Sequence, residues 1–300
     1  MKTIVITAGT SDLGYESARI LARDLNNKLI LGSQDQQEAR AVIAQLCSES
    51  GNQNIESFSL NLASLRSIHL FVQKVLIAEK SIDVLACTGG YQNHPSVNHT
   101  PDGLAKVFMV NHLGQFLLTK LLMPYLDPES GRIVLVSGDS HYVQPIRPGV
   151  FSKNPPPDYR GWDELFRSPD LTIYLPHLRA YVRYATSKLC VFFFGYELNR
   201  RLRDKKSAVT VNLFDPMVSP DNILSRIFTR RNSIQEASEC FAGLLIDSSF
   251  KDVTGQFFQG SVPKESSSYS YDQGNWQDLW EGSEILTNGA FNIFEANQNS

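Results

Sequence analysis

The chain has 300 residues, 42% of them hydrophobic, which is enough to fill the core of one large α/β domain. Its 28 basic and 31 acidic residues give a net charge of -3 and form no long basic stripe, so nucleic acid and membrane surfaces are not expected partners. No apolar stretch has the length of a membrane span, and we expect no secretory signal. The four cysteines are scattered without a CxxC pair, so we expect reduced thiols, a cytoplasmic location and small-molecule ligands.

Apolar runs of strand length alternate with amphipathic segments of helical length. The predicted strands are 3–7, 28–32, 55–60, 83–87, 132–137, 208–214 and 255–260, and the predicted helices are 12–25, 34–48, 63–79, 103–126, 180–204 and 233–247. Parallel strands need crossover connections, and these crossovers cover both faces of the sheet. The order therefore predicts an α/β fold, a Rossmann-type doubly wound parallel sheet of about seven strands with helices on both faces.

Residues 1–260 are predicted to form a single domain, and two stretches interrupt its regular alternation. Residues 141–180 contain a PPP run and several aromatic residues, among them Phe151, Trp162 and Tyr174, and are expected to form a lid-like insertion over the site. Residues 261–300 are rich in Ser, Asn and Gln. We expect them to form a peripheral, polar C-terminal extension with one short helix at 276–286.

A turn suited to binding phosphate follows the first strand, at Thr7-Ala8-Gly9-Thr10-Ser11-Asp12-Leu13-Gly14. Glycines let the backbone approach a pyrophosphate, and the next helix supplies amides and partial positive charge at its N-terminus. Asp12 is interpreted as the N-cap of that helix, where its carboxylate would repel a bound pyrophosphate. The nucleotide contacts predicted in this turn are Gly9, Thr10, Ser11, Asp12, Leu13 and Gly14.

The residues after the second strand do not identify the nucleotide. An acidic residue there binds the ribose hydroxyls of NAD, whereas a basic residue pairs with the 2′-phosphate of NADP. Here the two positions hold Ser33 and Gln34, which carry neither charge. NADP(H) and NAD(H) both stay candidate cofactors, with NADP(H) slightly favoured because no carboxylate at these positions excludes the phosphate.

Tyr184 and Lys188 are the strongest candidates for chemistry. Their spacing of four on a predicted helix puts both side chains on one helix face, about 5–6 Å apart at Cβ. A fixed cation stabilises phenolate, so we expect the pKa of Tyr184 to fall from about 10 towards neutrality, as proton exchange with a carbonyl or alcohol requires. His112 and His141 have no third donor at ligand spacing, so no metal site is predicted.

Five motifs in this order resemble the short-chain dehydrogenase/reductase family. They are the turn at 7–14, VNHLGQFLLTKLL (110–122), RIVLVSGDSH (132–141), YATSK (184–188) and VNLFDPM (211–217). The resemblance is strongest to the branch that contains retinol dehydrogenases, the WW-domain-containing oxidoreductase and protochlorophyllide reductase. It is carried further by ELNRRL (197–202) and by the long gap before Tyr184.

The resemblance implies roles for particular residues. Asn111 would join Tyr184 and Lys188 in a proton relay. Members commonly dimerise through the helix that carries YATSK, so a homodimer or homotetramer is expected, with the aromatic run VFFFGY (191–196) packed in the core or at the interface. The further nucleotide contacts implied are Asn61, Leu62, Gly89, Gly90, Tyr184, Lys188, Pro216 and Val218.

The chain departs from the family pattern mainly where the nucleotide would bind. Non-glycine residues replace family glycines at Ala8, Asp12 and Met217, and a Met side chain would crowd the approach that glycine permits. The other changes on this side are Asn61 in place of an Asp facing adenine, Thr88 in place of the Asn of an Asn-Ala-Gly motif, and an added acidic residue at Asp221.

One departure lies in the catalytic centre itself. Gly138 stands where the family has the serine that orients the substrate oxygen. Ser137 and Ser140 are both candidates to replace the missing hydroxyl, and Ser140 has the better strand parity. Each is also compatible with an ordinary capping or loop serine.

Three functions remain open. The first is an NAD(P)(H)-dependent oxidoreductase that interconverts a carbonyl and an alcohol on a bulky lipophilic molecule, such as a polyketide, terpenoid or retinoid-like compound of secondary metabolism. The second is a redox-neutral acid/base enzyme, such as an isomerase, cyclase or dehydratase, with weak or no nucleotide binding. It would explain why the departures lie on the nucleotide side. The third is a non-catalytic binding protein on the same fold, which would not need the Tyr184 and Lys188 pair.

Overall fold

The computed structural model describes residues 1–91, 98–142, 155–167, 176–218 and 232–298. Eight strands in these ranges form one sheet in the order β3-β2-β1-β4-β5-β6-β7-β8. They are β1 (Lys2–Ile6), β2 (Asn27–Ser33), β3 (Ile55–Ser59), β4 (Val84–Cys87), β5 (Arg132–Val136), β6 (Thr210–Asp215), β7 (Phe257–Gln259) and β8 (Val262–Lys264). The first seven pair in parallel, and β8 is antiparallel to β7. The predicted doubly wound sheet is confirmed. The exposed three-residue strand β8 shows no apolar pattern that would have predicted it.

Helices cover both faces of the sheet. They are α1 (Asp12–Leu21), α2 (Gln36–Ser50), α3 (Leu65–Ala78), α4 (Gly114–Leu122), α5 (Trp162–Arg167), α6 (Pro176–Asp204), α7 (Ile234–Ile246) and α8 (Gln273–Gln298). One buried cluster contains Phe71, Phe116 and Phe192, and a second on the other face contains Leu21 and Phe241. Within the run 191–196, Phe192 and Phe193 are fully buried, which confirms core packing. No helix in the described ranges combines the length and the apolarity that crossing a bilayer requires.

Strands β2 and β3 lie on one side of β1, and β4 and the later strands lie on its other side. The chain therefore changes direction across the sheet between β1 and β4. In open parallel sheets, ligands bind outside the carboxyl ends of the strands at this point. The turn at 7–14 follows β1, Ser33 ends β2, and the segment 88–90 follows β4. Residues 137–139 follow β5 and Asp215 ends β6. The fold thereby brings the predicted nucleotide turn and the catalytic segments to one edge of the sheet.

The C-terminal extension is not peripheral, which corrects the sequence-based prediction. Its helix α8 is 26 residues long rather than confined to 276–286. The Trp280 ring packs edge-on against Phe116 at a centroid distance of 5.0 Å, and Ser283 Oγ lies 2.8 Å from His112 Nε2. Lys120 on α4 forms an ion pair of 3.1 Å with Glu284. The prediction located the part of the helix that packs, but it missed the residues 273–275 and 287–298 by which the helix extends at its two ends.

The described part of the insertion is held by helix α8. Asp278 Oδ2 accepts hydrogen bonds from Tyr159 OH at 2.7 Å and from the Trp162 backbone N–H at 3.1 Å. A side chain at Gly282 would lie only 2.1 Å from the Trp162 ring, so the two segments are in close contact. The rest of the predicted lid, including Phe151, Tyr174 and Leu175, lies outside the described residues, and its role over the site stays a prediction.

A stability measurement tests whether α8 belongs to the domain core. Leu279 is 1% exposed, so Leu279→Ala should lower the free energy of unfolding by about 2–5 kcal/mol through lost contacts and a residual cavity. Ile285 on the same helix is 57% exposed, so Ile285→Ala should change it by less than about 0.5 kcal/mol. Urea unfolding followed by circular dichroism measures both. Equal effects of the two variants would contradict a packed α8.

Candidate active site

The backbone of the first turn is tightly packed. Ala8 adopts a left-handed conformation with φ of 49°, which costs an L-residue about 1–2 kcal/mol and which glycine adopts freely. The Gly9 N–H donates to Gly32 O at 3.0 Å, which ties the turn to β2. Any side chain at Gly14 would lie 2.3 Å from the Ala8 carbonyl oxygen. Ala8 therefore keeps the turn conformation that the family builds with glycine, and Gly14 lets α1 begin directly against it.

The N-cap of α1 is Ser11, not Asp12 as the sequence suggested. The chain is still extended at Ser11 and turns helical at Asp12, which is the exposed first residue of the helix. Ser11 Oγ donates to Ala8 O at 2.9 Å and makes no capping bond to the helix. Among the described residues, no side chain caps the amides of the first turn of α1. This arrangement fits the pyrophosphate of a dinucleotide.

The end of β2 contacts the same turn. Ser33 is buried, and its Oγ lies 3.1 Å from Thr10 Oγ1, while Gln34 is exposed. After β3, Asn61 Oδ1 accepts from the Ala63 N–H at 3.0 Å and forms the turn into α3. Leu62 is 5% exposed, so it contributes mainly to packing beneath the cleft.

The segment after β4 is held against the end of β1. The Gly89 N–H donates to Thr7 Oγ1 at 2.9 Å, and Gln115 Nε2 donates to Gly89 O at 3.0 Å. Thr88 Oγ1 donates to the Thr7 carbonyl. A side chain at Gly89 would lie 2.4 Å from Leu62 Cδ1, so only glycine fits without a shift. Sequence inspection did not single out Thr7 and Gln115, although both stand inside motifs that it quoted.

Asn111 lies in a π-helical turn, Met109–Leu113, a distortion that is frequent at functional sites. Its Oδ1 accepts from the Tyr91 N–H at 2.6 Å, and its Nδ2 donates to Tyr91 O at 3.1 Å and to Ser187 Oγ at 2.9 Å. Ser187 Oγ in turn donates to Tyr184 O. A side chain at Gly90 would come within 3.7 Å of both Asn111 Oδ1 and Lys188 Nζ. Asn111 therefore connects the segment after β4 to the helix that carries the candidate catalytic pair.

Tyr184 and Lys188 share one face of α6, as predicted. Lys188 Nζ lies 5.7 Å from the centroid of the Tyr184 ring, and Lys188 is 6% exposed. Ser137 Oγ donates to the Lys188 backbone carbonyl at 3.0 Å. Ser137 thus fixes α6 at the end of β5, and its hydroxyl is already engaged there.

The electrostatics of the pair contradict the expected activation of the phenol. Burial first, and then the nearby carboxylates of Asp139 and Asp215, together raise the pKa of Tyr184 to about 12. Burial lowers the pKa of Lys188 to about 8, partly offset by Asp215. Desolvation and two negative charges therefore determine the pKa of Tyr184, so it holds its proton at neutral pH.

Asp139 and Asp215 were not identified from the sequence. Asp215 is 5% exposed at the end of β6, where Oδ1 accepts from the Met217 N–H at 2.9 Å and Oδ2 from Gln259 Nε2 at 3.3 Å. Its place immediately before the Pro216 turn was the available signal. Both carboxylates make the site more negative than the Tyr184 and Lys188 pair alone suggested.

The missing serine leaves open space. Gly138 is extended, with φ of -178° and ψ of 169°, and a Cβ there would have no described atom within 4 Å. Ser140 is 6% exposed in the next turn, and its Oγ is buried with no hydrogen-bond partner among the described residues. Ser140 therefore offers no exposed hydroxyl to a substrate in this arrangement.

The two candidate histidines are buried. His141 Nδ1 donates to Gly138 O at 2.6 Å, and burial lowers the pKa of His141 to about 4 and that of His112 to about 3. Both are therefore neutral at physiological pH. In the ranges that the structure describes, no group of three or more His, Cys, Asp or Glu side chains is placed to hold a metal ion.

The turn after β6 also uses a left-handed non-glycine residue. Met217 has φ of 51°, at the position where the family has glycine. Asn232 Nδ2 donates to Pro216 O at 3.1 Å, and Val218 pairs with Asn232 in an isolated bridge. Asp221 lies outside the described residues.

Removing the Lys188 charge should stabilise the protein at neutral pH. The folded pKa of about 8 lies below the unfolded value of about 10.4, so below pH 8 the buried ammonium destabilises the fold fully. That penalty falls as pH rises from about 8 to about 10.4, because in this window the folded state has released the proton that the unfolded state still holds. Lys188→Met should therefore raise the free energy of unfolding by roughly 1–3 kcal/mol at pH 7 and by much less near pH 10.

Urea unfolding at both pH values, with Lys251→Met as an exposed control, measures this difference. A variant less stable than the parent at pH 7, or a gain that grows with pH, would contradict the assignment of a charge-destabilised lysine.

Comparison with known proteins agrees with this geometry. Residues 2–147 match the family model of the short chain dehydrogenases. Human polyprenol dehydrogenase is 32% identical over 76% of this chain, although the match spans only 63% of that relative's length. Human retinol dehydrogenase 14 is 30% identical over 95% of this chain and 86% of the relative.

A solved structure of an uncharacterised protein from Mycobacterium paratuberculosis superposes with a TM-score of 0.72 at 27% identity. The superposition covers 96% of this chain and 94% of that one. The resemblance to the retinol dehydrogenase branch is thereby confirmed. The chain belongs to the short-chain dehydrogenase/reductase family of oxidoreductases.

Proposed function

We propose that the protein is an NAD(P)(H)-dependent reductase that converts a carbonyl to an alcohol on a bulky lipophilic molecule. The observation that carries this proposal is the placement of Tyr184 and Lys188 on one face of α6. Lys188 lies beside Gly90 and Asn111, at the edge of the sheet where the nucleotide turn also ends. A proton donor and a nucleotide cleft at one edge are what carbonyl reduction requires.

Each residue of the centre has a distinct role in the proposed reaction. When bound, a reduced nucleotide would supply the hydride. Tyr184 gives its proton to the substrate oxygen, and its raised pKa means that it carries that proton throughout the neutral range, which favours the reducing direction. Lys188 supplies positive charge beside the oxygen that receives the proton, and Asn111 holds the segment after β4 in place through Tyr91.

The nucleotide would be held along the carboxyl edge of the sheet. The uncapped first turn of α1 would bind the pyrophosphate, Ser33 and Gln34 border the adenosine ribose, and Lys188 borders the nicotinamide ribose. The full set of proposed nucleotide contacts is Gly9, Thr10, Ser11, Asp12, Leu13, Gly14, Ser33, Gln34, Asn61, Leu62, Gly89, Gly90, Tyr184, Lys188, Pro216 and Val218. Ser140 stays a candidate catalytic residue only if its buried hydroxyl turns towards the cleft.

The names of the relatives support a lipophilic substrate. Polyprenol and retinol are both long isoprenoid alcohols, and the two proteins named for them match most of this chain. The aldehydes of such alcohols are therefore the substrate class to test first. We place the reaction in the cytoplasm, as the scattered cysteines indicate.

A nucleotide titration tests the proposal. NADH and NADPH are added separately to the full chain, and the thermal midpoint and nucleotide fluorescence are followed. We expect micromolar binding of at least one of them, followed by its oxidation when all-trans-retinal is added. If neither binds at millimolar concentration, hydride transfer is excluded and the redox-neutral acid/base hypothesis takes its place.

A further inference from the structure

Two carboxylates border the adenosine end of the proposed nucleotide cleft. Asp35, the N-cap of α2, accepts from the Gln37 N–H at 2.7 Å and from the Glu38 N–H at 3.1 Å. These backbone hydrogen bonds hold the pKa of Asp35 below its usual range, so it is ionised at neutral pH. Glu38 lies in the first turn of α2, and its Oε2 accepts from Thr10 Oγ1 at 3.3 Å.

Glu38 contacts one of the two elements that flank the adenosine ribose in this type of sheet, and it reaches the other through Thr10. Thr10 belongs to the turn after β1, and its Oγ1 lies 3.1 Å from the Oγ of Ser33 at the end of β2. Ser33 Oγ in turn donates to Asp35 O at 3.1 Å. A carboxylate hydrogen-bonded to the turn after β1, beside the end of β2, is close to the place where an acidic residue accepts from the ribose hydroxyls of NAD.

The same carboxylates oppose a 2′-phosphate, which carries up to two negative charges at neutral pH. Like charges a few ångströms apart repel, and Ser33 and Gln34 provide no cation to offset that repulsion. Arg40 is the basic residue whose charge reaches Asp35, and it is exposed at the start of the second turn of α2. Its charge opposes the acidic pair only in part.

We infer that Glu38 sets the nucleotide preference of this protein by selecting NAD(H) over NADP(H). The inference rests on the proposed function, since it concerns the same cleft. It reverses the slight preference for NADP(H) drawn from positions 33 and 34, because the deciding carboxylate comes from α2 and not from the end of β2. Glu38 binds the ribose side of the nucleotide and takes no part in the chemical step.

Binding measurements without substrate test this inference. Dissociation constants of NADH and NADPH are measured by isothermal titration calorimetry on the full chain and on Glu38→Gln, which removes the charge but keeps the shape. We expect the parent to bind NADH at least tenfold more tightly than NADPH. Glu38→Gln should reduce that ratio about tenfold, chiefly by tightening NADPH binding. Glu49→Gln removes an exposed charge from the same helix and should leave the ratio unchanged.

The outcomes separate the inference from the proposed function. A parent that binds NADPH as tightly as NADH, or a ratio that Glu38→Gln leaves unchanged, overturns the role of Glu38 while nucleotide binding still stands. Failure of both nucleotides to bind overturns the role of Glu38 and the proposed function together. If Glu49→Gln changed the ratio of the NADPH and NADH dissociation constants as much as Glu38→Gln does, the preference would follow the net charge of the protein. That result would overturn a local role of Glu38.

Discussion

Tyr184→Phe is expected to lower the rate of carbonyl reduction about 10²–10⁴-fold, the range that a positioned general acid contributes. The change removes the hydroxyl that donates the proton and keeps the ring against Lys188, whose Nζ lies 5.7 Å from its centroid. Steady-state oxidation of the preferred reduced nucleotide, with all-trans-retinal as the acceptor, measures the effect on kcat.

The loss should appear in kcat and not in nucleotide binding, because Tyr184 acts on the substrate oxygen. The dissociation constant of the nucleotide, measured on the same preparation, should change by less than about twofold. Tyr125→Phe is a matched control, since that tyrosine is 41% exposed on the segment after α4. If the Tyr184→Phe variant kept more than a tenth of the parent's kcat, another group would have to donate the proton.

The strands of the parallel sheet were predictable because a buried parallel strand is apolar at nearly every position. Val84–Cys87 is buried throughout, and the strands on either side are each buried at four of their five positions. Helix α8 was predictable only in part. Its packing depends on single contacts such as Trp280 on Phe116 and Asp278 on Tyr159, which lie more than a hundred residues apart in sequence and leave no periodic signal.

The identities of the candidate catalytic residues could be predicted, but their electrostatics could not. A spacing of four fixes the shared helix face of Tyr184 and Lys188 before any tertiary structure is known. Their pKa values depend on burial and on Asp139 and Asp215, which approach from the ends of two other strands. The carboxylate of Glu38 was missed for a similar reason, since it reaches Thr10 from the next helix.

Gly138→Ser is expected to increase the rate of reduction by about tenfold to a hundredfold. A hydroxyl at this position would donate a hydrogen bond to the developing charge on the substrate oxygen, and one such donor contributes about 10²–10³ in kcat at comparable sites. The backbone permits the change, because φ of -178° is extended and suits any residue. No described atom lies within 4 Å of the new Cβ, so the side chain enters open space.

Gly138→Ala is the matched control, because it adds the same Cβ without the hydroxyl and should leave kcat within about twofold of the parent. The rate of all-trans-retinal reduction is compared for the three proteins at saturating nucleotide, with thermal midpoints measured alongside. If Gly138→Ser and Gly138→Ala increased kcat equally, the increase would come from a stiffer backbone and not from the hydroxyl. A serine variant no faster than the parent would mean that the substrate oxygen lies out of reach of position 138, and that Tyr184 and Lys188 polarise it without a further donor.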